Sequence, residues 1–497
     1  MNDEEKLELT KKKLLNISRR CSLVELSRRK IVKNLDFYKE HEEYGRRLKS
    51  LPVCLRDQVL RELTSLKFDG AFGDSKPNFE KKLQDFSFLL SSDTKEIDLD
   101  GLLSFCPQKY LRGQLWRVLQ MIAAEAPNVQ SLIINGRNSM ANTYILLRNF
   151  SLYYTLDRAI LESICGLSKL KRLEISIRLM RLCIEHLPKL RLLNPWDFND
   201  FNIPDVFNIL KLPSETSSLM NLGVYPTSVS IHQVFPEVRH LTIGWPYRSD
   251  TSESSIDTLL HFSKLESISV HPSLKLENIL YQLLDRYGSN LRNLSIWSFK
   301  FELRMIDVMN RCKNLERLAL HRASFFDQPL MPTQTFAELK ELMWANPLFE
   351  NSNYGQHLLH LLLAPKLEKV ALILDGETCT DLDVLNEIAN LVASGHILRE
   401  LKSFIIYLDN LRHGQDGILR LFEAITRLVA DASAFLPKCT LVVLKPYEEF
   451  CLAPIYNSQG EFLGFSYPGT VIDYDFREFG QPNLAKFLFA CRAGRQL

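Results

Sequence analysis

Glycine and proline are sparse, 20 and 21 in 497 residues, which excludes a collagen-like or low-complexity chain. No apolar run approaches the ~18 residues that a membrane-spanning helix needs. The opening MNDEEKLELT lacks the apolar core of a signal peptide, so a cytoplasmic or nuclear protein without a membrane partner is expected. An excess of one charge is missing too. The 61 Lys and Arg stand against 59 Asp and Glu, which argues against a strongly basic nucleic-acid binder. The first 50 residues are locally basic, with fourteen Lys/Arg against nine Asp/Glu, and Lys11 to Lys13 read as a solvated run. The ten cysteines, among them Cys21, Cys54, Cys106, Cys165 and Cys183, form no C-x-x-C pair. In a reducing compartment they read as small buried hydrophobes.

Catalytic signatures are equally scarce. There is no phosphate-binding loop, no G-x-G-x-x-G, no G-x-S-x-G and no H-E-x-x-H. His357 and His360 stand three apart in YGQHLLHLLLA, but no Cys, Asp or Glu completes them at ligand spacing, and they read as a repeat-helix surface rather than a metal site. Asp473 and Asp475 alternate with apolar residues as on a half-buried strand, where paired carboxylates are ordinarily solvated. No catalytic residue, metal or cofactor is expected.

What the chain does contain, at 46% hydrophobic and 24% charged residues, is a recurring phrase: an apolar anchor, two polar residues, then apolar-x-apolar. It reads NVQSLIING at Asn128, KLKRLEIS at Lys169, EVRHLTIG at Glu237, KLESISVH at Lys264 and NLRNLSIW at Asn290. It returns as NLERLALH at Asn314, ELKELMWA at Glu338, KLEKVALI at Lys366 and ELKSFIIY at Glu400. The anchors Val238, Leu265, Leu291, Leu315, Leu339 and Leu367 are separated by 27, 26, 24, 24 and 28 residues. Between them lie helical patterns such as LENILYQLLDRYG, apolar at i, i+3 and i+4. Each unit is strand, turn, helix and return.

The spacing and phrase resemble leucine-rich repeats, although Phe299 and Ala323 stand where regular repeats place Asn. One such unit cannot bury its apolar face alone, so neighbours stack. The resemblance implies an α/β fold, an irregular leucine-rich repeat solenoid with a curved parallel sheet and outer helices, over residues 125–445. Steps of 41 from Val129 to Leu170, 48 from Leu190 to Val238 and 34 from Leu367 to Leu401 mark insertions or unrecognised units. A C-terminal cap with a hairpin around Ser458-Gln459-Gly460 is expected over 446–497, and a helical connector and N-terminal cap over 67–124. In the phrase, the third, fifth and seventh residues point to the concave face. That gives His240, Thr242, Asn293, Trp297, Arg317, His321, Glu341 and Tyr407 as candidate positions for a protein substrate.

Residues 1–66 read as a helical adaptor-binding segment. Ser22 and Glu25 form an S-x-x-E capping box, so a helix should begin at Leu23, with Leu23, Ser27, Ile31 and Leu35 recurring along one face. SLVELSRRKI resembles the elongin-C-binding box of von Hippel-Lindau-type and SOCS-type receptors: Leu23 matches the anchor leucine, Ser27 stands where Cys is usual, and Ile31 matches the aliphatic position. LPVCLRDQV resembles the cullin-2 box through Leu51, Pro52, Leu55 and Val59, with Pro52 suited to a helix start. The layout resembles Zyg-eleven and PRAME-like receptors, which implies elongin C with elongin B and cullin-2 as partners and a non-catalytic, substrate-positioning role. LPVCLRDQVLREL also resembles the opening of an F-box, which implies Skp and cullin-1 instead, but TSLKFDGAFGDSKPNFEKK does not read as its compact second and third helices. Two further readings stand beside these: a ligase-independent scaffold, and N-terminal helices that merely cover the first repeat's open end.

Overall fold

The computed structural model describes residues 23–65, 76–107, 110–134, 158–174, 187, 189–194, 217–224, 230–244, 257–270, 276–297, 302–321, 323–325, 335–345, 354–375, 380–395, 397–409, 423–425, 427–428, 431, 436, 440–445, 453–456, 462–466 and 470–471. The fold is α/β. Two compact units divide the chain, Met1–Pro213 with Ser458–Gly460 and Ser214–Asn457 with Glu461–Leu497.

The first unit opens with four helices, α1 (Leu23–Lys33), α2 (Leu35–Glu40), α3 (Glu42–Lys49) and α4 (Val53–Ser65). Helix α1 is described from Leu23 onward; Ser22, the expected cap, lies outside the described residues. Helix α5 (Lys76–Leu89) follows and packs against α4, where Val59, Leu60 and Leu63 join Phe79, Leu83 and Phe86 in one buried cluster. The helix runs 14 residues within 67–124, the stretch expected to be a helical connector. Its first turn carries Pro77, which costs no hydrogen bond there.

Beyond it come β1 (Glu96–Asp98), α6 (Asp100–Ser104), α7 (Leu111–Glu125), β2 (Ser131–Ile133), α8 (Arg158–Cys165), β3 (Arg172–Glu174) and β4 (Leu192–Asn194). The strands form a parallel sheet in the order β1-β2-β3-β4. The sheet thus starts at Glu96, inside the stretch expected to be a helical connector. The phrase is present there with a polar anchor: Thr94, Ile97 and Leu99, all buried, take the places of its three apolar positions.

The second unit holds β5 (Asn221–Val224), α9 (Ile231–Val234), β6 (His240–Ile243), β7 (Ser267–Val270), α10 (Leu276–Tyr287), β8 (Asn293–Trp297), β9 (Glu302–Leu303), α11 (Met305–Arg311) and β10 (Arg317–His321). It continues with β11 (Ser324–Phe325), β12 (Glu341–Ala345), α12 (Tyr354–Leu362), β13 (Lys369–Asp375), α13 (Thr380–Ala393), β14 (Ser403–Asp409), β15 (Thr440–Lys445), β16 (Ala453–Tyr456), β17 (Phe462–Ser466) and β18 (Thr470–Val471). A ten-stranded sheet runs β18-β15-β14-β13-β12-β10-β8-β7-β6-β5. All its neighbours are parallel except β18, which closes the β15 edge antiparallel. β16 and β17 pair antiparallel as a hairpin. Strand β5 resolves the widest step in the phrase: the buried Leu219 is its anchor and divides the 48 residues from Leu190 to Val238 into 29 and 19.

Register makes the core. Leu222, Leu241, Ile268, Leu294, Leu318, Leu342, Val370 and Phe404 are Cα partners in succession, and all are buried. Alternation along each strand puts Val224, Ile243, Val270, Ile296, Leu320, Trp344, Leu372 and Ile406 on the same face, where they form a second buried row. Helices supply further buried apolar side chains, Leu280, Leu283 and Leu284 from α10, Leu358, Leu361 and Leu362 from α12, and Leu385, Ile388 and Val392 from α13. The approach between successive turns is close. A Cβ on Gly288 would sit 2.6 Å from the Arg311 carbonyl oxygen, so only glycine fits without a backbone shift.

Candidate functional site

Two surfaces carry the residues singled out by the sequence, and each lies within its own unit. The first is α1 with the entry to α4. Helix α1 seats Val32 in the core and is tied to α4 by Arg28, whose Nη1 donates to Gln58 Oε1 at 3.3 Å, and by Arg29, whose Nε lies 3.5 Å from Glu62 Oε1. The opposite side faces solvent: Leu23 is 80% exposed, Val24 49% and Leu26 37%. Ser27 is exposed and Ile31 half-buried. A water-accessible Ser27 hydroxyl carries no desolvation cost in the free chain.

The fourth member of the expected stripe departs from it. Asn34 interrupts the helix, its Nδ2 donating to the Lys30 carbonyl at 2.7 Å and its N–H to the Ile31 carbonyl at 3.0 Å. An Asn side chain competing for the last-turn carbonyls ends a helix in this way. Leu35 therefore begins α2 and is 2% exposed, a core residue rather than part of the α1 surface.

Pro52 stands immediately before α4, exposed, and its carbonyl accepts the N–H groups of Leu55 at 2.9 Å and Arg56 at 3.1 Å. Leu51 and Leu55 are half-buried, whereas Val59, 1% exposed, belongs to the interior with Leu63. The sequence pattern groups Leu55, Val59 and Leu63 on one face, and that face descends from surface to core along the helix. Arg56 holds the entry in place. It is buried, and donates from Nη1 to the Lys49 carbonyl at 2.7 Å and from Nη2 to Ser91 Oγ. Its neighbour Asp57 accepts the Lys95 N–H at 3.2 Å, and burial raises its carboxyl pKa above the ordinary range despite that bond. Sequence reading missed both, because an Arg-Asp pair in an amphipathic helix looks solvated.

The second surface is the sheet face opposite the apolar rows. Its first row runs Asn221, His240, Ser267, Asn293, Arg317, Glu341, Lys369, Ser403, every member polar. Arg317 joins the middle of it: Nη1 donates to Asn293 Oδ1 at 3.0 Å and Nε lies 3.3 Å from Glu341 Oε2. Four residues along the strands, Trp297 stacks on His321 with ring centroids 4.4 Å apart, and its indole N–H donates to Ser295 Oγ at 2.9 Å. Between the two rows Ser295, Ala319, Met343 and Ala371 are buried.

The expected candidates are thus brought together, but unequally accessible. His240, Asn293, Glu341 and Trp297 are buried, Trp297 at 8% with His321 against its ring. Thr242, Arg317 and His321 are half-buried, and Lys369, missed by the sequence reading, is exposed. Tyr407 has its backbone in β14 opposite Ile373; its side chain lies outside the described residues. His357 and His360 both stand on α12, His357 buried. Among the described residues no group of three His, Cys, Asp or Glu could hold a metal, and no helix is long and apolar enough to cross a membrane. Asp473 and Asp475 lie outside the described residues.

A third feature escaped sequence reading. The residue after each anchor alternates in charge through seven successive units: Arg239, Glu266, Arg292, Glu316, Lys340, Glu368, Lys402. Each N–H from Glu266 onward donates to the carbonyl of the preceding rung at 2.7–2.9 Å. Four ion pairs follow, Arg239–Glu266 at 3.3 Å, Arg292–Glu316 at 3.7 Å, Glu316–Lys340 at 3.0 Å and Glu368–Lys402 at 2.7 Å.

Neither a protein-family model nor a curated protein sequence matches this chain.

Proposed function

We propose that this chain is the substrate-recognition subunit of a cullin-RING ubiquitin ligase. In this reading α1 docks an elongin C-type adaptor, the Leu51–Leu55 entry to α4 meets cullin-2, and the two parallel sheets belong to an irregular leucine-rich repeat solenoid that holds a protein substrate. The chain itself performs no bond chemistry; it positions a substrate for the ubiquitin-carrying partner. The observation that carries the reading is the solvent-facing Leu23, 80% exposed at the start of a helix otherwise anchored to α4. A large apolar side chain left in water is a docking element when it stands with others, and Leu26, exposed on the same side of α1, stands with it. On the sheet, Thr242, Arg317, His321 and Lys369 are accessible positions for a substrate.

The F-box reading is supported by a different observation: α5 packs on α4, supplying a second helix beside the one that LPVCLRDQVLREL forms. Co-purification decides between them. The chain is purified with elongin B/C and, separately, with Skp, as wild type and as the Leu23→Asp and Leu55→Asp variants. Capture of elongin B/C that Leu23→Asp abolishes supports the proposal. Capture of Skp, lost in Leu55→Asp and kept in Leu23→Asp, transfers it to the F-box; capture of neither leaves a scaffold.

A further inference from the structure

Helix α1 places more than the leucine anchor on its solvent side. At 100° per residue, Leu23, Leu26, Ser27, Lys30 and Lys33 fall on one side of the helix, opposite the buried Val32. The face changes character along its length. Leu23 and Leu26, at its N-terminal end, are two of the seven exposed large hydrophobic residues among those described. Lys30 and Lys33 follow one and two turns later, both exposed. Several cations of the N-terminal helices have acidic partners: Arg29 with Glu62, Lys39 with Asp85, Arg47 with Glu43, Arg61 with Glu96. No ion pair to Lys30 or Lys33 is present among the described residues.

We infer that α1 inserts its leucine end into an apolar pocket of a partner protein whose rim, toward the C-terminal end of the helix, is acidic. With a rise of about 1.5 Å per residue, the acidic groups would lie about 6 and 10 Å beyond the site of Leu26, opposite Lys30 and Lys33. The inference rests on the adaptor reading above and specifies the chemistry of the adaptor surface. An anionic membrane is the competing occupant. A helix lying in the membrane interface keeps its apolar and cationic residues on opposite faces along its whole length. Here they succeed one another on the same face, so a membrane that took up Leu23 and Leu26 would also draw Lys30 and Lys33 toward the acyl chains.

The test uses the full chain against immobilised elongin B/C and against phosphatidylserine/phosphatidylcholine vesicles, at about 50 and 300 mM salt, where screening of exposed charges differs. Wild type is compared with Leu23→Asp and with the double variant Lys30→Glu, Lys33→Glu; all these side chains are exposed, and unchanged circular dichroism checks the fold. The expected result is capture of elongin B/C that weakens at least about tenfold in Leu23→Asp and about 3- to 10-fold in the double variant, with the salt dependence of wild type flattened in the latter. Capture insensitive to both salt and the lysine changes overturns the acidic rim while leaving the adaptor reading intact. Absence of elongin B/C capture at either salt overturns both, and vesicle binding that needs Leu23 and both lysines assigns the face to a membrane instead.

Discussion

The carboxylate of Glu316 lies 3.0 Å from the ammonium of Lys340 and 3.7 Å from the guanidinium of Arg292, so one side chain links three successive strands of the ten-stranded sheet. Each such pair is partly solvated and contributes little alone. Their alternation nevertheless disfavours any pairing shifted by one unit, because a shifted rung would face its own sign.

Glu316→Lys should therefore cost more than the lost pairs, since it sets three cations in consecutive rungs. The expected loss is about 1–2 kcal/mol in urea unfolding, against about 0.5 kcal/mol for Glu316→Gln, and the difference should shrink in about 1 M salt. Equal effects of the two substitutions would show that repulsion along the ladder is negligible.

Asp36 predicts an acid-side dependence. Hydrogen bonds from Lys81 and Lys39, at 2.6 and 2.9 Å, lower its pKa from 3.8 to about 2. A carboxyl depressed in the folded state contributes stability that is complete above its unfolded value and is lost as pH falls through the folded one. The loss should thus fall between about pH 4 and pH 2 and be absent in Asp36→Asn. Half-exposure of the Asp36 side chain keeps the effect small, so matched acid titrations of unfolding, rather than a single pH point, are the measurement.

Tyr287 is a strut between α10 and the turn before it. Its hydroxyl donates to the Leu259 carbonyl at 2.8 Å and accepts the Phe262 N–H at 3.0 Å, and burial pushes its pKa up to about 12. Tyr287→Phe keeps the packing but leaves both backbone groups unpaired, at an expected cost of about 1–3 kcal/mol. Thermal unfolding of the variant checks this, and the tyrosinate absorbance lost in Tyr287→Phe relative to wild type should develop only well above pH 10.

The sequence made the strands of the second unit legible because each anchor phrase carries three buried apolar positions at fixed offsets, as Leu291, Leu294 and Ile296 do. Strands β1 and β5 escaped for opposite reasons. The first puts the polar Thr94 where the phrase has its apolar anchor, ahead of the buried Ile97 and Leu99, and the second, SLMNLGV, carries glycine where the phrase puts a polar residue. On the candidate face, alternation identified which side Trp297 occupies but neither its burial nor its stacking on His321 one strand away. Strand neighbours about 4.8 Å apart decide accessibility, and that information is not local to either phrase.

Leu23 and Leu35 bring the same limitation to a test. Both sit on the i+4 stripe that the sequence draws through Leu23, Ser27, Ile31 and Leu35, yet Asn34 turns the chain between them and leaves one exposed at 80% and the other buried at 2%. Leu35→Ala should destabilise the first unit by about 2–4 kcal/mol, as removal of a buried leucine side chain generally does. Leu23→Ala should shift stability by no more than about 0.5 kcal/mol, because it removes almost no contact within the chain. If the helix continued unbroken and the whole stripe faced solvent, the two substitutions would be equally mild in urea unfolding. The larger loss at Leu35 would restrict the exposed docking surface of α1 to the residues before Asn34, and only Leu23→Ala would then report on partner binding without a contribution from unfolding.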